Sequence, residues 1–256
     1  ISPPSYLGLL RSAYAAIKAV DPAATVVSAG LAPTGFNDGI NAINDRIYLE
    51  GLYANGLADI SDAVGAHPNG WANPPDALCC NAAIGVATHY EDPSFYFLET
   101  LNDYRDAMLR YNDAGTELWV TDFGWGTSED IEAPGAIYVF VTYTSLSEQA
   151  IYTPRAFEIG DELGFVGPMF AHNLNGCLLQ PAIAELCYGS LLGPNGTPRP
   201  VFSAVAAIDK TQVEATVEAT PEATAPLLAV PVEQPVAQPT ESAPPAPATT
   251  PEAANG

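Results

Sequence analysis

The sequence predicts an α/β protein with its strands parallel in one sheet, and three observations predict it. Candidate elements run as one helix followed by strand–helix four times, an alternation that requires helical crossovers between parallel strands. The stretch Glu117-Leu118-Trp119-Val120-Thr121-Asp122-Phe123 is a near-continuous apolar run, which is how a strand buried on both faces reads. The candidate strands also end in polar residues: Ser28, His67, Asp122, and His172 with Asn173 just past the last. An open nucleotide-binding sheet would carry a glycine-rich phosphate turn, and neither G-x-G-x-x-G nor a P-loop is present. Strand ends of this kind are where a (β/α)8 barrel keeps its chemistry, so part of such a barrel is the expected architecture.

Each element has its own signal. Ser2 before Pro3-Pro4 is a helix start, a capping hydroxyl ahead of residues that need no N–H partner. Tyr6, Leu9, Leu10, Ala13, Tyr14, Ile17 and Val20 recur at helical spacing until Asp21-Pro22 ends the run. Thr25 to Gly30 is a short β-branched strand. A second helix is predicted over about Ile43 to Asn55, with Ile47, Leu49, Leu52 and Tyr53 inward and Gly56 as its stop. Asp62 to His67 is a strand that opens into a long loop, Pro68 to Pro93, and loops of that length are usually functional. The helix from Ser94 to about Tyr111 carries Phe97, Leu101, Tyr104, Met108 and Tyr111 on one face. After the strand at Leu118, a helix is expected from Pro134 to about Ile151, with a break near Thr153-Pro154. Phe165 to Phe170 reads as the last strand, and Pro200 to Ile208 as a short closing helix.

The domain predicted over residues 1–210 gives way at Thr211 to a different composition. Val-Glu-Ala-Thr repeats are followed by Pro, Ala, Thr and Glu, with no aromatic or basic residue after Lys210. Residues 211–256 are expected to form a disordered acidic spacer that could tether the domain, since they cannot bury enough surface to fold.

Charge narrows the partners. With 30 acidic and 8 basic residues and a net charge of −22, the chain is unsuited to nucleic acid or anionic membrane surfaces. No apolar run approaches the roughly 18 residues of a membrane span. The first residue is Ile1, so upstream processing or truncation is expected. The four cysteines fall as Cys79-Cys80 and as Cys177 with Cys187, neither with zinc-knuckle spacing, so no metal or cofactor is expected. A Cys177–Cys187 disulfide would imply an oxidising compartment; reduced buried thiols are the alternative.

Asp122 is the candidate reacting group. A carboxylate at the end of a buried strand, followed by Phe123-Gly124-Trp125, offers charge for an oxocarbenium-like centre and flat apolar faces for a sugar ring. A turn-capping aspartate is the plainer alternative. His67, Trp71, Trp125, His172 and Asn173 are the candidate substrate contacts, each weighed against a packing or hydrogen-bonding role in the core. Asn195-Gly196-Thr197 matches a glycosylation sequon but is first a turn signal, as is Asn37-Asp38-Gly39.

With those residues in hand, residues 1–208 resemble the C-terminal half, strands five to eight, of a clan A glycoside hydrolase (β/α)8 TIM barrel, nearest the bacterial family 5, 39 and 42 enzymes. Val20-Asp21-Pro22 to Gly30 resembles the helix and fifth strand that follow the Asn-Glu-Pro acid/base motif. Asp62 to His67 with Trp71 resembles the sixth strand and its substrate loop. Trp119-Val120-Thr121-Asp122-Phe123-Gly124-Trp125 resembles the seventh strand, which reads W-(V/I)-T-E-F-G-W with Glu as nucleophile, and Gly193 to Val201 resembles the ending G-x-N-G-x-P-(R/K)-P. The resemblance implies hydrolysis of O-glycosidic bonds in an oligo- or polysaccharide, without a cofactor, by an extracellular or cell-surface protein. Two departures stand out. The acid/base motif is absent, and Asp122 replaces Glu, retracting the carboxylate by one C–C bond, about 1.5 Å. Retaining glycosidases hold their carboxyls about 5–5.5 Å apart and inverting ones about 6.5–9.5 Å, so the retracted group could attack, activate water or only bind sugar. A non-catalytic carbohydrate-binding protein on the same fold is the alternative.

Overall fold

A computed structural model describes residues 1–80, 91–132, 134–179 and 184–209. The expected spacer 211–256, and His89 and Tyr90 of the long loop, lie outside the described residues.

Helix α1 (Pro3–Val20) starts where Ser2 accepts from the Ser5 N–H, and the Asp21 N–H closes it on Ile17. Its buried face is narrower than the apolar pattern suggests. Leu7 and Leu10 are buried, whereas Leu9 and Val20 are 67% and 88% exposed. Helix α2 (Asp45–Ala54) is capped by Asn44 and stopped by Gly56, whose φ of 91° lies where glycine is favoured. It buries Leu49, Leu52 and Tyr53, while Ile47 stays exposed. Helix α3 (Phe97–Arg110) buries Phe97, Leu101, Tyr104 and Met108 as predicted, whereas Tyr111, expected on the same face, caps the helix and is exposed.

Strands β1 (Ala63–Ala66), β2 (Glu117–Phe123) and β3 (Val166–Ala171) pair in parallel in chain order, as helical crossovers require. The predicted strand at Thr25–Gly30 is reduced to isolated parallel bridges, Val27 with Ala63 and Leu31 with Ala66. The reason is a contact between segments: the Gly65 N–H donates to the Ser28 hydroxyl at 3.0 Å instead of to a backbone carbonyl, which interrupts the ladder. The core lies between the sheet and helices α1 to α3, where Leu118, Val120 and Phe123 of β2 meet Phe97, Leu101 and Met108.

The helix expected from Pro134 is displaced. Ala136–Thr142 forms 3-10 turns, and helix α4 runs instead from Leu146 to Leu163, through Pro154 without ending there. Its start is a capping box: Ser145 accepts from the Glu148 N–H, and Glu148 accepts from the Ser145 N–H. Helices α5 (Ala184–Tyr188) and α6 (Pro200–Ala206) complete the described chain. Between them Leu192 bridges Pro198 antiparallel, with Asn195 at φ 65° and Gly196 at φ 73°, so the Asn-Gly pair is a turn. Cys177 pairs with Cys187, and Cys79 with Cys80.

Candidate functional site

Strict alternation along β2 would send Asp122 to the same face as Val120, into the core. A bulge prevents it. Val120 pairs with Met169 and Phe123 with Ala171, three residues of β2 against two of β3, so one extra residue sits at Thr121-Asp122. Val120 and Phe123 both remain at 0% exposure on the core side, and the Asp122 side chain is left 34% exposed beside a cavity.

His172 follows β3 directly, its N–H donating to the Phe123 carbonyl at 2.6 Å. That bond sets the ring beside β2, where Nδ1 lies 2.9 Å from Asp122 Oδ1. Two glycines make room for it. A Cβ on Gly124 would stand 3.1 Å from His172 Cβ, and one on Gly189 only 2.6 Å from Cδ2. Hydrogen bonding to Asp122 raises the His172 pKa above its ordinary value against the opposing effect of burial, with further attraction from Asp122 and Glu185. His67, at the end of β1, shifts the other way, because burial and repulsion from His172 outweigh attraction to Asp122.

The cavity, about 200 Å³, is lined by Trp71, Asp122, Tyr138, Phe140, His172 and Glu185, with the loop at Tyr188-Gly189 behind them. Its wall is aromatic. Trp71 and Phe140 meet edge-on at 4.4 Å between ring centroids, and Trp71 meets Phe95 likewise at 5.2 Å. Trp71 itself holds φ at 55°, a region bulky residues rarely occupy. Elsewhere in the lining, the Tyr138 hydroxyl donates to Glu185 Oε2 at 3.0 Å. Among the described residues no group of three His, Cys, Asp or Glu stands close enough to hold a metal ion. None of their helices is long and apolar enough to cross a membrane.

Of the residues singled out in the sequence, Asp122, Trp71 and His172 meet at this cavity. His67 is coupled to Asp122 and His172 by charge but does not line it. The expectation for Trp125 is corrected. It is 1% exposed, its indole N–H donates to the Asn73 carbonyl at 2.7 Å, and its ring packs against Phe97, Phe123 and Tyr152, so no sugar ring can stack on it. Asn173 is also absent from the wall. Its amide donates to the Leu186 carbonyl and its oxygen accepts from the Gly176 N–H, tying α5, which carries Glu185, to the Gly176 turn. Sequence reading missed Glu185, which falls in the five-residue helix α5, and Tyr138 and Phe140, which fall in 3-10 turns where a longer helix was expected; the cysteine loop enclosing Glu185 was the one available pointer.

Gly189→Ala tests how tightly the ring is held. The new methyl has to push the imidazole away from Asp122, so the His172 pKa is expected to fall toward 6.5, read by NMR titration of the imidazole resonances. An unchanged pKa would show that the ring escapes the clash without leaving its carboxylate.

No protein-family model and no curated protein matches the chain. Among solved structures, a family 39 glycoside hydrolase from the gut symbiont Bacteroides cellulosilyticus WH2 superposes with a TM-score of 0.52 at 21% identity, over 79% of this chain and 37% of that one. A subgroup II GH128 endo-β-1,3-glucanase from Sorangium cellulosum follows at 0.45 and 15% identity, over 78% and 61%. A subgroup I GH128 endo-β-1,3-glucanase from Amycolatopsis mediterranei gives 0.42 and 18%, over 82% and 66%. The chain thus spans about a third to two thirds of the length of these structures. A parallel sheet with helical crossovers and the superposition on the family 39 enzyme together give the chain the fold of part of a TIM barrel.

Proposed function

We propose that the chain binds an oligo- or polysaccharide in the cavity beside β2 and hydrolyses an O-glycosidic bond there, with Asp122 supplying the negative charge at the reacting centre. One observation carries this reading: the β2 bulge turns a carboxylate at the C-terminal end of the middle strand out of the core and into an aromatic-walled cavity. Carboxylate charge stabilises an oxocarbenium-like centre, and aromatic faces hold sugar rings. On this reading residues 1–208 are strands five to eight of the barrel. The sequential parallel order supports it, as do His67, Asp122 and His172, each at or just beyond the C-terminal end of β1, β2 or β3. The reading also includes an extracellular or cell-surface setting, in keeping with the Cys177–Cys187 pairing, and a tethering role for residues 211–256.

A second reading, carbohydrate binding without turnover, draws support from Asp122 being one carbon shorter than the family nucleophile and already engaged by His172. A single experiment separates the two: the whole chain and its Asp122→Asn variant are assayed on a panel of aryl glycosides, with oligosaccharide binding followed by calorimetry. Hydrolysis predicts turnover by the wild type and a loss of about 10²–10⁴-fold in the variant, with binding retained. Equal turnover in both would remove Asp122 from the chemistry. Binding without turnover in either favours the second reading, and neither binding nor turnover sinks both.

A further inference from the structure

We propose that the sugar this cavity selects carries a free amino group: an oligosaccharide of hexosamine rings, with an ammonium held by the Glu185 carboxylate and the aromatic wall. The inference rests on the reading that the cavity binds carbohydrate, and deepens it by naming the substituent that is recognised.

The balance of charge in the wall points this way. Its titratable acids and bases are two carboxylates, Asp122 and Glu185, and one imidazole, His172; among the described residues neither lysine nor arginine lines it. The cations are used elsewhere: Lys18, Arg46, Arg110, Arg155 and Arg199 each pair with a carboxylate outside the cavity. The two acids of the wall are not equivalent. Asp122 Oδ1 is matched by His172 Nδ1 at 2.9 Å. Glu185, an exposed residue, is matched by no cation among the described residues, and its Oε2 accepts only the neutral Tyr138 hydroxyl at 3.0 Å. A uronic acid or sulfated sugar would be repelled here, whereas an ammonium gains a charge-assisted hydrogen bond.

The aromatic rings extend the same preference. Trp71, Phe140, Tyr138 and Tyr188 all line the cavity and touch in that order, with ring centroids 4.4, 6.4 and 5.8 Å apart. Tyr138 joins the two features, its ring within that row and its hydroxyl on Glu185. Aromatic faces attract a cation within about 6 Å of the ring centroid, and clustered rings are how proteins enclose ammonium groups. A neutral sugar ring uses the apolar faces but gains nothing from the unmatched carboxylate.

The cavity already stabilises one positive charge. Burial alone would make His172 lose its proton early, yet its pKa is raised, first by the hydrogen bond to Asp122 and then by attraction to Asp122 and Glu185. The charge of Glu185 thus reaches the imidazole beside β2, and both carboxylates act on one space. An ammonium arriving from solvent meets the field that holds the imidazolium.

The test uses the whole chain at about pH 6, above the ordinary range of carboxylates and below that of amines. N-acetylhexosamine oligosaccharides with β-1,3 and β-1,4 linkages are titrated by calorimetry, each beside its de-N-acetylated product and the glucose oligomer of the same linkage and length. In at least one linkage the free-amine form is expected to bind about 10-fold or more tightly than both neutral forms, a preference that falls below about 3-fold in about 1 M salt. Glu185→Gln keeps an acceptor for the Tyr138 hydroxyl and is expected to cut affinity for the free-amine form about 10-fold. It removes one of the chain's 30 acidic residues, so attraction to the overall charge hardly changes and the loss reports the cavity. Oligolysine of equal charge measures that overall attraction. If oligolysine binds as tightly as the amino sugar, or if Glu185→Gln binds the amino sugar as the wild type does, the inference is overturned. Neutral forms bound as well as free-amine forms in every linkage overturn it too, and leave the carbohydrate reading standing. Should Glu185→Gln not fold, the wild-type comparisons with neutral sugars and oligolysine decide. No binding of any form overturns the carbohydrate reading and this inference with it.

Discussion

Arg199→Ala is expected to destabilise the domain by about 3 kcal/mol, because it takes a buried charged donor away from several backbone carbonyls at once. The Arg199 side chain is 1% exposed, and every part of its guanidinium is in use. Nε and Nη2 donate to the two oxygens of Asp130 at 3.0 and 2.8 Å, a bidentate pair. Nη1 donates to the carbonyls of Cys187, Tyr188 and Ser190 at 3.0, 3.1 and 2.8 Å. Truncation therefore takes the charged donor from three carbonyls at once, while Asp130, an exposed residue, returns to water. Arg199→Lys keeps the charge but not the planar fork, and should recover less than half of the loss. Urea unfolding followed by far-UV circular dichroism measures both; a loss below about 1 kcal/mol in Arg199→Ala would mean that water replaces the guanidinium at little cost. The same carbonyls belong to the segment that ends α5 and backs the cavity, so on the proposed carbohydrate-binding reading a surviving Arg199→Lys protein should bind oligosaccharide more weakly. The Cys177–Cys187 bond ties that segment down a second time, closing a 10-residue separation that is worth about 3 kcal/mol on loop entropy. Because the two ties share a segment, losing both is expected to cost less than the sum of the separate losses.

What the sequence could convey depended on range. The cap at Ser2, the stop at Gly56 and the Asn195-Gly196 turn are local, and each lies where the residue types demand. Strand β2 was legible as an apolar run, but the bulge that decides where Asp122 points was not. Its cause lies in how β2 and β3 register, and nothing within Trp119-Val120-Thr121-Asp122-Phe123 encodes it. The same limit explains the thinning of Thr25–Gly30, where a serine hydroxyl from one segment captures an N–H of another. At α4 the signal was present but outweighed: Ser145-Leu146-Ser147-Glu148 spells a capping box, yet the apolar run after Pro134 reads more strongly as helix, and Pro154 as a break. Glu185 and Tyr138 lie 47 residues apart and meet only through the fold. Asp122 and His172, 50 apart, could be linked beforehand because both stood at strand ends.

Trp125 shows why a residue close to a cavity-lining carboxylate need not line the cavity itself. Trp125→Ala is expected to cost about 3–5 kcal/mol, with the loss at the upper end of that range because two effects add. Truncation opens a hole between Phe97, Phe123 and Tyr152, whose ring centroids lie 5.8, 6.4 and 5.8 Å from the indole. It also strips the Asn73 carbonyl of its indole N–H donor at 2.7 Å. Trp125→Phe fills most of the volume and loses mainly the hydrogen bond, so about 1–2 kcal/mol is expected, and the difference between the two variants isolates the packing contribution. The loop preceding Asn73 leans on the same ring: a Cβ at Gly70 would stand 2.5 Å from the indole, next door to Trp71 in the cavity wall. Trp125→Phe is therefore expected to weaken carbohydrate binding through a displaced Trp71, with the response of turnover to Asp122→Asn unchanged. A rim contact would behave differently, losing affinity for sugar with no change in unfolding free energy. Denaturant titration and binding calorimetry on the same samples separate the two, and an undiminished unfolding free energy in Trp125→Ala would return Trp125 to the binding surface.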